Sequence, residues 1–384
     1  METCEVLIVG GGPGGSSCAA YLADHGIDVL IVDRARFPRT KLCAGWVTPA
    51  VFHALGIDPD HYSERHTLQP IHGFRIAIMG RRPRQVDYGH PVSYGIVRSE
   101  FDTDLLERSG ARVRSGEPVQ SIERARSGWV VNGTIHANVI VGAGGHFCPV
   151  ARALGAKPGR GEHAVYAREN EYSMNEEEAR ACELQGTIPE LHFSPDLKGY
   201  GWCFRKDRYL NYGLGHEVSA NLPRRTTAFF ERYRASGRIP DTIPARFHGH
   251  AYLLYGSGER PFVSDRALLV GDAAGLAYPQ SGEGIRTAVE SGLLAGRAIA
   301  AARGRGDGNS YSAERLAPYA TELRRRFGAP HGANYWLKRL PQSLLPGIAG
   351  KLLTTPWFAR EILIGRWFLA RHEDASIERG GTQH

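Results

Sequence analysis

Six consecutive residues, Gly10-Gly11-Gly12-Pro13-Gly14-Gly15, restrict the fold more than any other part of the chain. They lie between a β-branched run, Glu5 to Val9, and a small-residue stretch at helical period, Ser16 to Leu22, which predicts a strand, a tight turn and a helix. A second apolar run, Asp28 to Val32, ends at Asp33 and completes a βαβ unit of about thirty residues. Each glycine has a task in such a unit: Gly10 permits the turn, Gly12 lets backbone N–H groups approach a diphosphate, and Gly15 lets the helix pack closely on the strand. The helix dipole favours the anion. Asp33 is placed to accept hydrogen bonds from an adenosine ribose, which disfavours a 2′-phosphate there. A dinucleotide is the expected ligand, and the turn alone does not separate NAD from FAD.

With 384 residues the chain is long enough for two interlocked domains with a sizeable core. Short alternating pieces between Ile71 and Tyr94 read as strands leaving the nucleotide domain, and Arg98 to Ser109 as a helix. Val119 to Val131 and Thr134 to Val141 read as a meander feeding a return strand that ends at Gly142-Ala-Gly-Gly145. Residues 160–255 look strand-like throughout. Ala267 to Val270 is a buried strand ending at Gly271-Asp272, and Gly284 to Ala301 is a small-residue helix packed close to the sheet. The expected fold class is therefore α/β: a Rossmann-like nucleotide domain (1–70, 95–160 and 256–310), an inserted antiparallel β-sheet substrate domain (71–94 and 161–255), and a helical C-terminal region (311–384).

The formal charge of +7 suits nucleic acid, anionic lipid or a phosphate-bearing ligand, but the basic residues are scattered, which argues against nucleic acid. The densest run, Arg324-Arg325-Arg326, reads as a solvated helix face. The cysteines at 4, 18, 43, 148, 182 and 203 show no C-x-x-C pair and no zinc spacing, so no metal is expected. The first residues enter an apolar strand without a secretory pattern, and a reducing cytoplasm is the expected location. The segment Leu344 to Ala370 mixes aliphatic, aromatic and basic residues. It would suit a helix in a membrane interface, hence possible peripheral membrane contact, or equally a cap on the substrate domain.

Three further segments resemble a known family. Leu268-Leu-Val-Gly-Asp-Ala-Ala-Gly275, followed by Pro279, Gly282, Glu283 and Gly284, resembles the C-terminal flavin motif of flavoproteins related to p-hydroxybenzoate hydroxylase. Val97-Arg-Ser-Glu-Phe-Asp102 resembles the R-x-x-F-D helix start of the same group. Phe37-Pro-Arg-Thr-Lys-Leu-Cys-Ala-Gly-Trp-Val-Thr-Pro49 and Tyr200-Gly-Trp-Cys-Phe204 resemble the K-x-C-G-G and Y-x-W-x-F-P segments of the geranylgeranyl reductase family. The resemblance implies FAD as cofactor, with Asp272 on the ribityl chain and Arg98 near the diphosphate and ribityl portion. Helix-start N–H groups from Gly282 to Ile285, Gly284 included, would face the flavin N1–C2=O edge, where charge develops on reduction. It also implies cofactor contact at Pro13, Gly14, Arg34, Lys41, Cys43, Ala44, Val119, Gly142 and Gly271. The implied activity is reduction of C=C bonds of an apolar, isoprenoid-like small molecule.

Two departures bear on that activity. Gly144 stands where the family has an acid in G-A-D-G, which leaves NADPH, NADH, ferredoxin or a partner reductase open as electron donor; Arg205 replaces a proline and could admit a polar or anionic substrate beside it. Cys43 is a candidate to protonate a carbanion after hydride transfer, or is an inert buried thiol. Tyr200 and Trp202 share one strand face and either wall an apolar channel or belong to the core. Lys41 orients substrate or faces water, and His146 either donates beside the flavin turn or is structural. An FAD monooxygenase on the same scaffold is the alternative activity, and a non-catalytic lipid- or partner-binding module the alternative of another class. A halogenase is disfavoured because no W-x-W-x-I-P segment occurs.

Overall fold

The computed structural model describes residues 1–157, 162, 164–279, 281–303, 310–328, 355 and 357–369. Its first half is an eight-stranded sheet centred on Glu2–Val9. That strand runs parallel to Val29–Asp33 on one side and to Ile135–Gly142 on the other. Arg112–Ser115 and Ala267–Leu269 extend the parallel core outward, and the last pairing joins stretches far apart in the sequence. Such strands are buried on both faces, and Val6, Leu7, Ile8, Ile31, Val32, Val139 and Ile140 are all solvent-excluded.

The helix Pro13–Asp24 begins directly at the glycine turn, with Pro13 in its first turn, where the missing N–H is not needed. The helix Ile285–Ala302 packs on this helix and shares one hydrophobic core with the sheet. A Cβ on Gly292 would lie 2.2 Å from the Gly14 carbonyl oxygen, so the two backbones touch where neither residue has a side chain. Helix Ala313–Phe327 covers the same layer. There Arg324 and Arg325 are exposed, as a solvated helix face requires, with Arg324 lying over Phe262, while Arg326 is buried against Glu290. Arg326 alone departs from that reading, because arginine charge says nothing about a buried carboxylate on the neighbouring helix.

The second half is a seven-stranded sheet in the order 248–253, 164–173, 209–216, 199–206, 190–193, 73–78 and 84–87. All its pairings are antiparallel except that of Glu190–Phe193 with Gly73–Ile78. It also carries helices Glu176–Ala181 and Leu222–Ala235 within the stretch expected to be strands. The longer helix buries Leu222, Thr226, Phe229, Phe230 and Tyr233, a 3–4 spacing that the strand reading overlooked. A small three-stranded sheet, Trp46–Val47, Ser93–Ile96 and Leu68–Ile71, bridges the halves.

Of the segment Leu344 to Ala370, only 355 and 357–369 are described. Phe358–Phe368 forms a wide-turned π-type helix on the second sheet, with Phe368 stacked on Trp46 at 5.1 Å between ring centres. No helix among the described residues is long and apolar enough to cross a membrane.

Candidate flavin and substrate site

The two sheets enclose a continuous cavity of about 600 Å³ that starts at the glycine turn and ends among aromatic side chains of the second sheet. The candidates His146 and Arg205 lie outside it, and the other sequence-predicted site positions line it except Gly15 and Gly142. Those two have packing tasks. A Cβ on Gly15 would lie 1.9 Å from the Gly10 carbonyl oxygen, and one on Gly142 would meet Leu269, Val150 and Cys148 side chains at 2.5–3.1 Å.

At the turn the backbone makes the site. Gly10 has φ +114°, a region that side chains rarely adopt, and a Cβ there would lie 2.4 Å from the Ala143 carbonyl oxygen. Gly12 caps the helix with no side-chain hydrogen bond, so the first-turn N–H groups face the cavity uncapped. The Asp33 carboxylate accepts from Gly11 N and Ala35 N, both at 2.8 Å, which fixes it at the end of its strand. Arg39, which the sequence reading passed over, lies beside Gly12: its Nη2 would be 3.4 Å from a Cβ at that position and is 3.0 Å from Asp102. Its Nη1 is buried without a hydrogen-bond partner.

Arg98 is buried and grips Asp102 through two bonds of 2.8 Å. Burial opposes its charge, but Asp102 more than restores it, so the guanidinium is held above its ordinary value. The Cys43 thiol beside it is half-buried and accepts from Gly45 N at 3.4 Å; burial pushes it up, and Arg98 pulls the other way. Across the cavity the Gly271–Ala273 turn is tied down by Ser291 Oγ, 2.9 Å from Gly271 N. Arg260, also passed over, donates to the carbonyls of His146, Asp272 and Ala273, each at 3.1 Å, and pairs with Glu162 at 2.7 Å. His146 is thereby part of the turn's support: its ring Nδ1 is 3.3 Å from Arg260, and burial with that neighbour depresses its pKa.

The far wall is built from side chains. Tyr200, Trp202 and Phe204 alternate onto the cavity face of strand Gly199–Lys206, joined by Trp46, Phe74, Leu191, Tyr252 and Phe368. Tyr200 Oη donates to Ser281 O at 2.7 Å and Trp202 Nε1 to Asn211 Oδ1 at 2.7 Å, while Asn211 Nδ2 donates to Cys43 O at 3.1 Å. The opposite face of the strand holds Cys203, which is packed in the core. Arg205 also points there, donating to Cys182 O at 2.9 Å, so it does not reach the cavity and cannot receive an anionic substrate there. Strand alternation decides this, since 205 has the opposite parity to 200, 202 and 204.

A family model for the FAD binding domain matches residues 3–326. Menaquinone reductase of Mycobacterium tuberculosis is 31% identical over 326 residues, covering 77% of this chain and 76% of that protein. Digeranylgeranylglycerophospholipid reductase of Methanococcus vannielii is 26% identical over 337 residues, covering 85% and 83%. A solved geranylgeranyl bacteriochlorophyll reductase-like protein from Thermoplasma acidophilum superposes with a TM-score of 0.75 at 21% identity, over 97% of this chain and 98% of that one. The chain belongs to the FAD-binding oxidoreductases of the geranylgeranyl reductase type.

This geranylgeranyl-reductase-type chain has the donors FAD needs. The uncapped helix start and the unpartnered Arg39 Nη1 are both cavity-lining and both suited to a diphosphate. A Cβ on Gly284 would lie 3.1 Å from Asp272 Oδ1, so that carboxylate lies close against the start of helix Ile285–Ala302.

Proposed function

We propose that this FAD-dependent oxidoreductase reduces C=C bonds of an apolar, isoprenoid-like substrate. The observation that carries this reading is the continuity of the cavity from a diphosphate cradle, past Cys43, into a wall of Trp46, Phe74, Leu191, Trp202, Phe204 and Phe368. An apolar chain loses water on entering such a wall, and the favourable transfer is about 25 cal/mol per Å² covered. The names of the menaquinone and digeranylgeranylglycerophospholipid reductases support the same substrate class.

Bound FAD would supply the hydride chemistry. Gly12, Gly14 and Arg39 would hold its diphosphate and Asp33 its adenosine ribose. Asp272 would hold the ribityl chain, and the N–H groups of Gly282 to Ile285 the edge of the ring that gains charge. Cys43 and Ala44, on the loop between the two sheets, would press the ring and substrate together and keep water out.

Anaerobic mixing tests the reading. Protein reduced by dithionite should be reoxidised by a dispersed polyprenyl alcohol, seen as return of the oxidised flavin band. If the alkene leaves the band unchanged and oxygen instead yields a stable C4a adduct, the activity is that of a monooxygenase. NADPH, NADH and reduced ferredoxin, tried in place of dithionite, identify the electron donor.

A further inference from the structure

Glu169 has no place in the cofactor cradle, yet it lines the cavity with a side chain that is solvent-excluded and two carboxyl oxygens that have no hydrogen-bond partner. Buried polar groups are nearly always bonded, so an unpartnered carboxyl inside a ligand cavity points to a ligand or a reaction. The fold makes room for it deliberately. Glu169 and Trp202 face each other across Gly213, which is in register with both. A Cβ on Gly213 would lie 2.5 Å from Glu169 Cβ and 2.6 Å from Trp202 Cζ2, so the bare strand lets the acid lie beside the aromatic wall. His250 Nδ1, on the other neighbouring strand, is 3.9 Å from Glu169 Oε1, outside hydrogen-bond range, and is likewise buried without a partner.

We propose that Glu169 is the acid that delivers the proton in alkene reduction, a role that rests on the reductase reading above. One alkene carbon accepts the hydride of the reduced flavin, and its neighbour accepts the proton of the Glu169 carboxyl. The π bond breaks, two C–H bonds form, two electrons leave the flavin for the substrate, and water returns a proton to the carboxylate.

The surroundings suit an acid that is loaded at neutral pH. Burial, followed by Glu171 two residues along, raises the Glu169 carboxyl to about 8; Lys206, Lys41 and Arg98 oppose this. Lys206 is largely engaged, bonded to Glu171 and to the carbonyls of Ala44 and Ile96 at 3.0 and 2.9 Å. Burial, Lys41 and Arg98 bring His250 down to about 4, so it stays neutral and does not draw the proton off. Tyr252, the remaining titratable group on that strand to face the cavity, is held well above its ordinary value by burial.

The test uses FAD-loaded wild type, E169Q, E169D and C43S. Loss of a positioned acid slows its step by about 10²–10⁴-fold, so E169Q should be reoxidised that much more slowly by the polyprenyl alcohol, with dithionite reduction and flavin content unchanged. E169D should restore part of the rate, and the wild-type rate should fall above about pH 8. A second readout needs no turnover. Because the folded carboxyl is raised above its unfolded value, wild type loses stability as pH climbs from about 4 to 8 and E169Q does not, so the melting temperature of E169Q relative to wild type should rise across that window. A gap that is flat between pH 5 and 9, or an E169Q rate equal to wild type while C43S is inert, overturns the proposal. A wild type with the predicted stability gap that no alkene reoxidises removes the reductase reading, and with it the step, while leaving the acid's protonation established.

Discussion

The two ends of the cavity are made by opposite means. At the diphosphate end the residues that matter are bare: Gly10, Gly14 and Gly15 place backbone against backbone, Gly12 leaves the helix start open beside Arg39, and the working groups are N–H dipoles. At the far end the residues are large and buried, and the working groups are side chains held by other side chains, as in Tyr200 to Ser281 and Trp202 to Asn211 to Cys43. The first kind of site tolerates no added atom at Gly10 or Gly15. The second tolerates changes of shape but not an unbalanced polar group.

Substitutions can break this contrast. The largest effect is expected at the bare end, where G15A would put a methyl 1.9 Å from the Gly10 carbonyl oxygen. The cost should exceed about 4 kcal/mol, and soluble protein should carry no flavin by absorbance. A flavin-loaded G15A would end the distinction drawn here. Next comes Glu190 in the second half, which accepts from Tyr233 Oη at 2.9 Å and from Arg75 at 3.3 Å. Burial pushes its carboxyl up, but His192, Arg238 and Tyr233 bring it down to about 2. E190Q should cost about 3 kcal/mol in denaturant titration at pH 7. A depressed carboxyl stabilises above its unfolded pKa and ceases to as pH falls through the folded one, so the wild-type and E190Q curves should converge between about pH 4.5 and 2.

Arg39 tests the junction of the two kinds of site. R39A should weaken FAD binding about tenfold to a hundredfold, the loss of one charged hydrogen bond, as read by fluorescence titration of the apoprotein. The smallest effect is expected for Y200F, which deletes one bond to the Ser281 carbonyl and should cost about 1 kcal/mol in melting experiments. If Y200F proved as severe as G15A, side-chain bonding would be as unforgiving as backbone contact.

The same contrast explains what could be read from the sequence. Gly10 to Gly15 and Asp33 stand within one βαβ unit, so local spacing reports the turn directly. Gly271-Asp272 and Arg98 could be placed because their short motifs resemble a family. Tyr200 and Trp202 were legible in the same way, but the rest of the far wall gave no such signal: Phe74, Glu169, His250 and Phe368 meet only when elements distant in sequence are laid side by side. Glu169 sits in Arg168-Glu-Asn-Glu171, which reads as a charged surface run, and only the burial of its face distinguishes it. Arg205 failed for a simpler reason, since strand parity turns it away from the residues beside it. Helix Leu222–Ala235 was legible in its 3–4 spacing and was hidden when the whole stretch 160–255 was read as strands.

The pairing of Ala267–Leu269 with Ile135–Gly142 has a consequence for how this architecture can vary. The second sheet hangs between strands of the first as a loop hangs between two posts, so neither half exists as one uninterrupted stretch of gene. A single recombination event cannot exchange the substrate wall for that of a relative; new specificity in such a lineage has to arise by point changes in place, or by a replacement that respects both posts at once.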